Sequence, residues 1–150
     1  MRLILAAAFA AIPVLAIAQD NSVEQDALKA RQGYMVAISA NMGPLAAMAK
    51  GDMEYNEEQA VFHASNLAAL GNYEVEMHFL PGTAQGELEG SHALAKTWDN
   101  LDDVRAKHDD FKVAAAAAPE GVKGGQAQVG AVVQSLGGTC KACHDNYRAK

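Results

Sequence analysis

The sequence predicts an all-α protein folded as an antiparallel up-down-up-down four-helix bundle. Alanine is abundant, and β-branched and aromatic residues are scattered instead of gathered into alternating runs, so strand signals are nearly absent. Apolar residues recur at steps of three and four in four segments, which is the period of a helix with one buried face. Four amphipathic helices joined mostly by short connections bury these faces against one another as a bundle.

The first helix is predicted from about Ser22 to Ala49. Its apolar residues form one stripe: Met35, Ile38, Met42, Leu45 and Ala49. Because Pro44 has no N–H to donate to the carbonyl four residues back, we expect a kink or break at Gly43-Pro44. The segment "KGDMEY" is expected to form the loop that follows.

The second helix is predicted to begin after Asn56, a good N-cap residue, with Gln59 at the capping-box position. Its stripe continues through small and aliphatic residues: Ala60, Ala64, Leu67 and Leu70. We expect this helix to extend towards Phe79, where the segment "PGTAQGELEG" ends it.

The third helix is predicted from about Ser91 or Asn100 to Ala118, with Pro119 and Gly121 stopping it. Its stripe again steps by three and four: Leu101, Val104, His108, Phe111 and Ala115. The run of alanines at its end is a helix former.

The fourth helix is predicted to start after Gly124-Gly125. Its stripe contains both cysteines of the chain: Val129, Val132, Leu136, Cys140, Cys143 and Tyr147. The cysteines are therefore expected on the inward face of the last helix and not in a loop.

The N-terminal residues are typical of a secretory signal peptide. Arg2 precedes an apolar run, and Ala16 and Ala18 form the small-x-small pattern that signal peptidase accepts. An uncleaved membrane anchor is the alternative, but the run is short for a span and contains Pro13. We expect residues 1–18 to be removed after Ala18, which leaves an exported single domain at 19–150.

The chain is acidic, with a formal net charge of −6 and no basic run. Nucleic-acid binding rests on phosphate neutralisation by Lys and Arg, so a nucleic-acid partner is not expected. Binding of the mature form to an anionic membrane surface is not expected for the same reason. An acidic surface suits a protein partner with a basic patch.

The two cysteines lie in the run "CKACH", Cys140 to His144. A thioredoxin-like dithiol needs a βαβ context, a structural zinc site needs four ligands, and a disulfide across so short a loop adds little stability. The same run is the signature of covalent c-type haem attachment, and on a helix Cys140, Cys143 and His144 project from one face. The sequence therefore predicts one covalent haem c, bound within the bundle near the last helix.

The chain resembles the class II c-type cytochromes, which include cytochrome c′. This family carries its haem motif near the C-terminus of a four-helix bundle, and "CKACHDNYR" matches it. Upstream, "RQGYM" matches the pattern of the family's first helix, "FLPGT" matches an F-x-P-G-T loop, and Trp98 lies near the family's tryptophan before the third helix. The resemblance covers essentially the whole chain after the signal peptide.

The resemblance implies roles for individual residues, beginning with Cys140 and Cys143 as the thioether anchors and His144 as the proximal iron ligand. Arg31 and Gln32 are implied to line the haem near its propionates, and a guanidinium also matches carboxylate geometry. Two further positions have weaker matches: Arg148 for the same charge role and Glu87 in a haem-edge loop.

The sixth iron position decides the mechanism, and Met35 falls where the family places its distal residue, four after Arg31. In low-spin members of the family this residue is a methionine that ligates the iron, and a His/Met pair favours one-electron transfer. In cytochrome c′ proper the residue does not ligate, so the iron is five-coordinate, high-spin and open to NO or CO.

Other interpretations of this position stay open at the level of sequence. Met35 is also a common kind of core gap-filler. Met42 could cap the iron after a shift in register, and Tyr34 could lie over the haem. Three histidines give further alternatives. His63 or His78 could form a bis-histidine site, and His108 could be a satisfied core residue or a haem-proximal one.

The sequence as a whole predicts a periplasmic one-electron carrier with His144/Met35 ligation that meets redox partner proteins. The alternative is a high-spin cytochrome c′ that binds NO or CO. A haem enzyme such as a peroxidase is not expected, because no distal acid/base pair stands at identifiable spacing. The resemblance also implies a possible homodimer through the first two helices.

Overall fold

The computed structural model describes residues 22–150, and the predicted signal peptide, residues 1–18, lies outside them. Within that range the chain is all-α, as predicted. Four α-helices and two short 3₁₀ segments follow in order: α1 Val23–Lys50, α2 Glu57–Leu70, the 3₁₀ segments Val75–His78 and Ala95–Asn100, α3 Leu101–Gly121 and α4 Gln126–Tyr147. Consecutive α-helices pack against each other and α4 closes on α1, which makes the four-helix bundle.

Helix α1 runs unbroken through Pro44, so the predicted break at Gly43-Pro44 is wrong. The proline removes one hydrogen bond, but Leu45 and Met48 directly after it are fully buried and hold the C-terminal half of the helix in the core. The helix begins at Ser22, whose hydroxyl accepts the N–H of Gln25 at 3.3 Å. It ends at Gly51, which adopts the left-handed conformation.

Helix α2 is shorter than expected. Asn56 caps it as predicted, and its side-chain oxygen accepts the N–H of Gln59 at 2.9 Å. The helix stops at Leu70 and does not reach Phe79, because the chain turns at Gly71. A Cβ at Gly71 would lie 3.2 Å from the Cα of Lys112, so only glycine gives α3 this close an approach.

Helix α3 continues through Pro119 to Gly121, so Pro119 does not stop it as predicted. Ala115 and Ala118 are buried against the neighbouring helices, and this packing stabilises the last turn of α3. A Cβ on Gly121 would lie 2.8 Å from Cγ2 of Val132, which shows how closely the start of α4 folds back. Helix α4 starts after Gly125, as expected.

The hydrophobic core fills one end of the bundle, which we call the packed half. Its residues come from the C-terminal parts of α1 and α3, from α2 and from the N-terminal part of α4: Leu45, Met48, Ala60, Ala64, Leu67, Phe111, Ala115, Ala118, Val122, Val129 and Leu136. The opposite end, the hollow half, is bounded by the N-terminal parts of α1 and α3, the C-terminal part of α4 and the connection 71–100. Across residues 22–150, each helix is too short or too polar to cross a membrane.

Candidate haem site

Two adjoining cavities occupy the hollow half. The inner cavity, about 390 Å³, reaches Ile38, Met42 and Phe111 at the edge of the packed half. The outer cavity, about 500 Å³, reaches Leu28 on α1 and Ser91 in the connection. Both cavities share one set of lining residues: Met35, Phe79, Val104, Cys143, His144 and Arg148. A flat group that contacts all of them would span both spaces.

Helix α4 brings the haem-attachment motif to these cavities. Cys140 lines the inner cavity, and Cys143 and His144 line both. The cysteines are free thiols. Burial raises the pKa of both thiols, and for Cys143 the nearby Lys107 partly offsets the rise. Reactive dithiols need a lowered pKa, so this environment does not suit thiol redox chemistry.

A zinc site is also excluded for the part of the chain described, since residues 22–150 bring no three His, Cys, Asp or Glu side chains together as a metal-binding group. His144 is therefore not part of a multi-ligand metal-binding group among these residues. Burial lowers its pKa, and the charge of Arg148 adds to the effect, so the imidazole is held neutral. A neutral imidazole keeps the lone pair that an iron ligand needs.

Arg31 is buried in the wall of the outer cavity, with 6% of its surface exposed. One guanidinium nitrogen, Nη2, donates to the carbonyl of Thr83 at 3.0 Å. The guanidinium carbon lies 4.8 Å from the ring centre of Phe79 and 5.7 Å from that of Trp98. The indole of Trp98 in turn donates to the carbonyls of Phe79 and Leu80 at 3.0 Å each. The structure thus brings together "RQGYM", "FLPGT" and Trp98, which the sequence separates widely.

The other nitrogen of this guanidinium, Nη1, is buried and has no hydrogen-bond partner among residues 22–150. A buried donor on a charged group is costly to leave unpaired, so the site fits an anionic group within its reach. Carboxylates on the edge of a planar apolar cofactor answer this requirement. The residues present therefore fit haem c: Cys140 and Cys143 would bind it through thioether bonds, His144 would be an iron ligand and Arg31 would pair with a carboxylate.

The remaining predicted site residues fall in different places. Gln32 lines the outer cavity and donates to the carbonyl of Gly90 at 3.0 Å. Arg148 lines both cavities. Glu87 is exposed, and its carboxylate accepts the N–H of Ala84 at 3.1 Å. It is absent from the linings of the two cavities described, so its haem-edge role stays a prediction.

Met35 lies between the two cavities, and 41% of its surface is exposed. Met42 lines only the inner cavity of the two. Tyr34 is buried, and its hydroxyl lies 3.2 Å from the carbonyl of Leu70 and 2.9 Å from Nε2 of His108. Among the alternatives raised by the sequence, Met35 is therefore the side chain that lines both cavities.

The histidines outside the motif have other partners. His63 pairs with the amide oxygen of Asn41 at 3.1 Å, and His78 lies 2.5 Å from the hydroxyl of Tyr73. His108 is at the cavity wall, where its Nδ1 lies 2.8 Å from a carboxylate oxygen of Glu76. Sequence analysis missed Glu76 because it lies in a 3₁₀ segment without helical periodicity, and no local motif marks it.

Comparisons with known proteins identify relatives of this chain. The family model described as Cytochrome C' matches residues 26–148. A cytochrome c′ of Cereibacter sphaeroides is 40% identical over 99% of this chain and 98% of its own length. A cytochrome c-554 of the same organism is 34% identical over 97% of this chain and 95% of its own length.

Solved structures share the fold as well. A cytochrome c′ described as from Rhodobacter Spheriodes superposes with a TM-score of 0.81 at 39% identity, covering 85% of this chain and 98% of that one. A cytochrome c prime mutant from Alcaligenes xylosoxidans, solved as its nitric oxide complex, gives a TM-score of 0.70 at 27% identity over 85% of this chain and 96% of that one. A third structure, a cytochrome c′ described by its ligand-controlled dimer dissociation, gives 0.75 at 29% identity over 86% and 98%.

Proposed function

The chain belongs to the cytochrome c′ family, and we propose that it is a periplasmic haem c protein with an iron position open to small gases such as NO or CO. Cys140 and Cys143 hold the haem covalently, His144 binds the iron, and Arg31 pairs with the propionate edge. Haem c supplies a one-electron iron couple and an axial position that accepts small molecules. The observation that carries the proposal is the double cavity around one face of α4, with the Nη1 of Arg31 unpaired in its wall.

The inner cavity supports the gas-binding form. Besides Met35 it is lined by Ile38, Met42, Val75 and Phe111, which are apolar. A small uncharged gas needs no polar partner in such a space. Met35 then covers the distal face without binding the iron. The relative of 40% identity bears the name cytochrome c′, which favours this form over methionine ligation.

The second candidate is the one-electron carrier with His144/Met35 ligation that the sequence predicts. It is supported by the residue type and by the place of Met35 between both cavities. A relative named cytochrome c-554 covers nearly the whole chain as well. In both forms the protein carries single electrons or binds gas and is not an enzyme.

Export, partners and assembly belong to the same proposal. Removal of residues 1–18 places the haem domain in the periplasm, where its net negative charge favours redox partners with a basic surface. A homodimer through α1 and α2 is supported by two exposed apolar side chains, Val36 at 67% and Phe62 at 61%. The solved relative with ligand-controlled dimer dissociation makes such an assembly reasonable for this chain.

The optical spectrum of the purified holoprotein tests the proposal. A high-spin Soret band in the oxidised form, and an immediate band shift when CO is added to the reduced form, are expected for an open position. Met35→Ala should then leave the spin state unchanged and speed CO binding. A low-spin spectrum with a far-red sulfur-to-iron band, lost in Met35→Ala, would contradict the open form and establish the second candidate.

A further inference from the structure

Three polar side chains from different elements meet at the wall of the inner cavity: Tyr34 and His108 line it, and Glu76 contacts His108. Glu76 comes from the first 3₁₀ segment, His108 from α3 and Tyr34 from α1. The Nδ1 of His108 lies 2.8 Å from Oε1 of Glu76, and its Nε2 lies 2.9 Å from the Tyr34 hydroxyl. The side chains of Glu76 and His108 are only 7% and 12% exposed.

The carboxylate of Glu76 is poorly compensated. Both of its oxygens are buried, and neither accepts an aligned hydrogen bond from residues 22–150. The contact with His108 is therefore a close approach of the two polar groups and not a well-formed hydrogen bond. Burying a carboxylate without an aligned hydrogen-bond donor is costly, so the surroundings of Glu76 favour a positive charge close to it.

The charge of Glu76 reaches the haem-attachment residues. It contributes to raising the pKa of Cys143, after burial, Asp103 and Cys140, and the pKa of Tyr34, after burial. The raised pKa keeps the Tyr34 hydroxyl protonated and thus a neutral neighbour. An electron added next to a buried carboxylate is unfavourable in a low-dielectric site unless a positive charge enters too.

Few other charges surround His108. Lys107 of α3 and Arg148 at the end of α4 line the same cavity, and the amine of Lys107 lies 3.5 Å from Asp103. From α4 the titratable groups that line this cavity are Cys140, Cys143 and His144; haem attachment would remove the two thiols and engage the imidazole. From the α1–α2 side His108 meets the Tyr34 hydroxyl and, beyond it, the ring of Tyr73 stacked on Tyr34 at 5.4 Å. Glu76 is therefore the charge that pairs directly with His108.

We propose that the Glu76–His108 pair is a redox-linked proton site, which binds one proton when the haem in the adjoining cavity gains one electron. The inference rests on the haem of the proposed function but not on what occupies the sixth iron position. It assigns to Glu76 and His108 a role in setting the reduction potential and its pH dependence.

The step balances with one electron and one proton. The electron comes from a one-electron donor protein, and the proton comes from solvent at the cavity. Before the step, the Nδ1–H of His108 faces Glu76, and Nε2 accepts the Tyr34 O–H. The proton binds Nε2, and the Tyr34 hydroxyl turns its hydrogen to the Leu70 carbonyl 3.2 Å away. No bond between heavy atoms forms or breaks, and the proton belongs to the pair and not to one residue.

The test is the reduction potential of the holoprotein measured against pH over about 5 to 8, the range in which histidine titrates. In the unmutated protein the reduction potential should fall as the pH rises. The slope should approach about 59 mV per pH unit, which is the value for one proton taken up with one electron. The double variant Glu76→Gln/His108→Gln cannot take up the proton, and most of this slope should be lost. The control, Glu58→Gln, changes an exposed carboxylate of α2 and should keep it.

A second measurement needs no variant. The infrared difference spectrum between reduced and oxidised protein should contain a new imidazolium or protonated carboxyl band in the same pH range. Retention of the full slope in the double variant, or absence of both bands, would overturn the inference. Failure of the proposed function appears separately, because a protein without haem has no Soret band and no potential to titrate.

Discussion

The two halves of the bundle are built from the same four helices, but one has a filled hydrophobic core and the other contains cavities. The packed half is filled by aliphatic and alanine side chains, with Leu45, Leu67 and Leu136 fully buried. The hollow half contains two cavities and keeps Arg31 and Glu76 buried with unpaired atoms. Apolar cavity walls and unpaired buried polar atoms both cost free energy, so the hollow half fits a bound cofactor that contacts them.

Replacing both anchors tests this contrast most severely. In Cys140→Ser/Cys143→Ser the thioether bonds cannot form, so we expect complete loss of haem that survives denaturation. Haem staining after denaturing electrophoresis measures this directly. The matched control is Leu67→Ala, which changes the other half and should keep the stain. A stained band in the double serine variant would place the attachment elsewhere.

The packed half should respond in stability alone. Leu67 is fully buried, and its replacement by Ala should lower the free energy of unfolding by about 2–5 kcal/mol through lost burial and an unfilled cavity. Urea denaturation of the holoprotein measures this. Leu67→Met, which nearly conserves volume, should cost less than about 1.5 kcal/mol. A changed Soret band in Leu67→Ala would show that a substitution in the packed half also alters the haem site.

Arg31 tests the charge inside the hollow half. In Arg31→Gln the buried cation is removed, and the loss of its bond to Thr83 should cost about 1–3 kcal/mol of stability. Without this positive charge the oxidised, more positive haem is favoured, so the reduction potential should fall. Arg105→Gln, an exposed arginine paired only with Asp102 in the contacts described, should leave the potential unchanged. Equal reduction potentials in Arg31→Gln and Arg105→Gln would show that Arg31 does not act at the haem edge.

The smallest effect is expected at a helix end in the packed half. Asn56→Ala removes the side-chain oxygen that accepts the Gln59 N–H, at a cost of about 0.5–2 kcal/mol. Asn56→Asp keeps an acceptor and should be nearly neutral. Thermal unfolding of both variants checks the prediction, and a larger loss in Asn56→Asp than in Asn56→Ala would contradict the capping role.

The sequence predicts the periodic parts of this molecule well and the irregular parts poorly. The stripes of α3 and α4, the cap at Asn56 and the start of α4 follow from local pattern, and the structure confirms them. Local rules failed at Pro44 and Pro119, because the burial of Leu45 and Met48 after Pro44, and of Ala118 and Val122 around Pro119, outweighs one lost hydrogen bond. They failed again after Leu70, where the close approach to α3 at Gly71 ends α2 early.

The site divides in the same way. Cys140, Cys143 and His144 belong to one short motif, so spacing on a helix placed them together. The pairing of Arg31 with Phe79, Thr83 and Trp98 depends on tertiary packing. The family resemblance marked these segments separately but did not indicate that they meet. Glu76 carries no signal in the sequence, since its partner His108 is 32 positions away in the numbering and lies on another element. Whether Met35 binds the iron is set by fractions of an ångström that residue type does not determine.

The most direct test of the contrast between the halves is the intact mass of the protein purified from its exported form. The account predicts one species, with the mass of residues 19–150 plus one covalently bound haem. The mass of the polypeptide alone, from cells that produce other c-type haem proteins normally, would contradict the claim that the hollow half is built around haem.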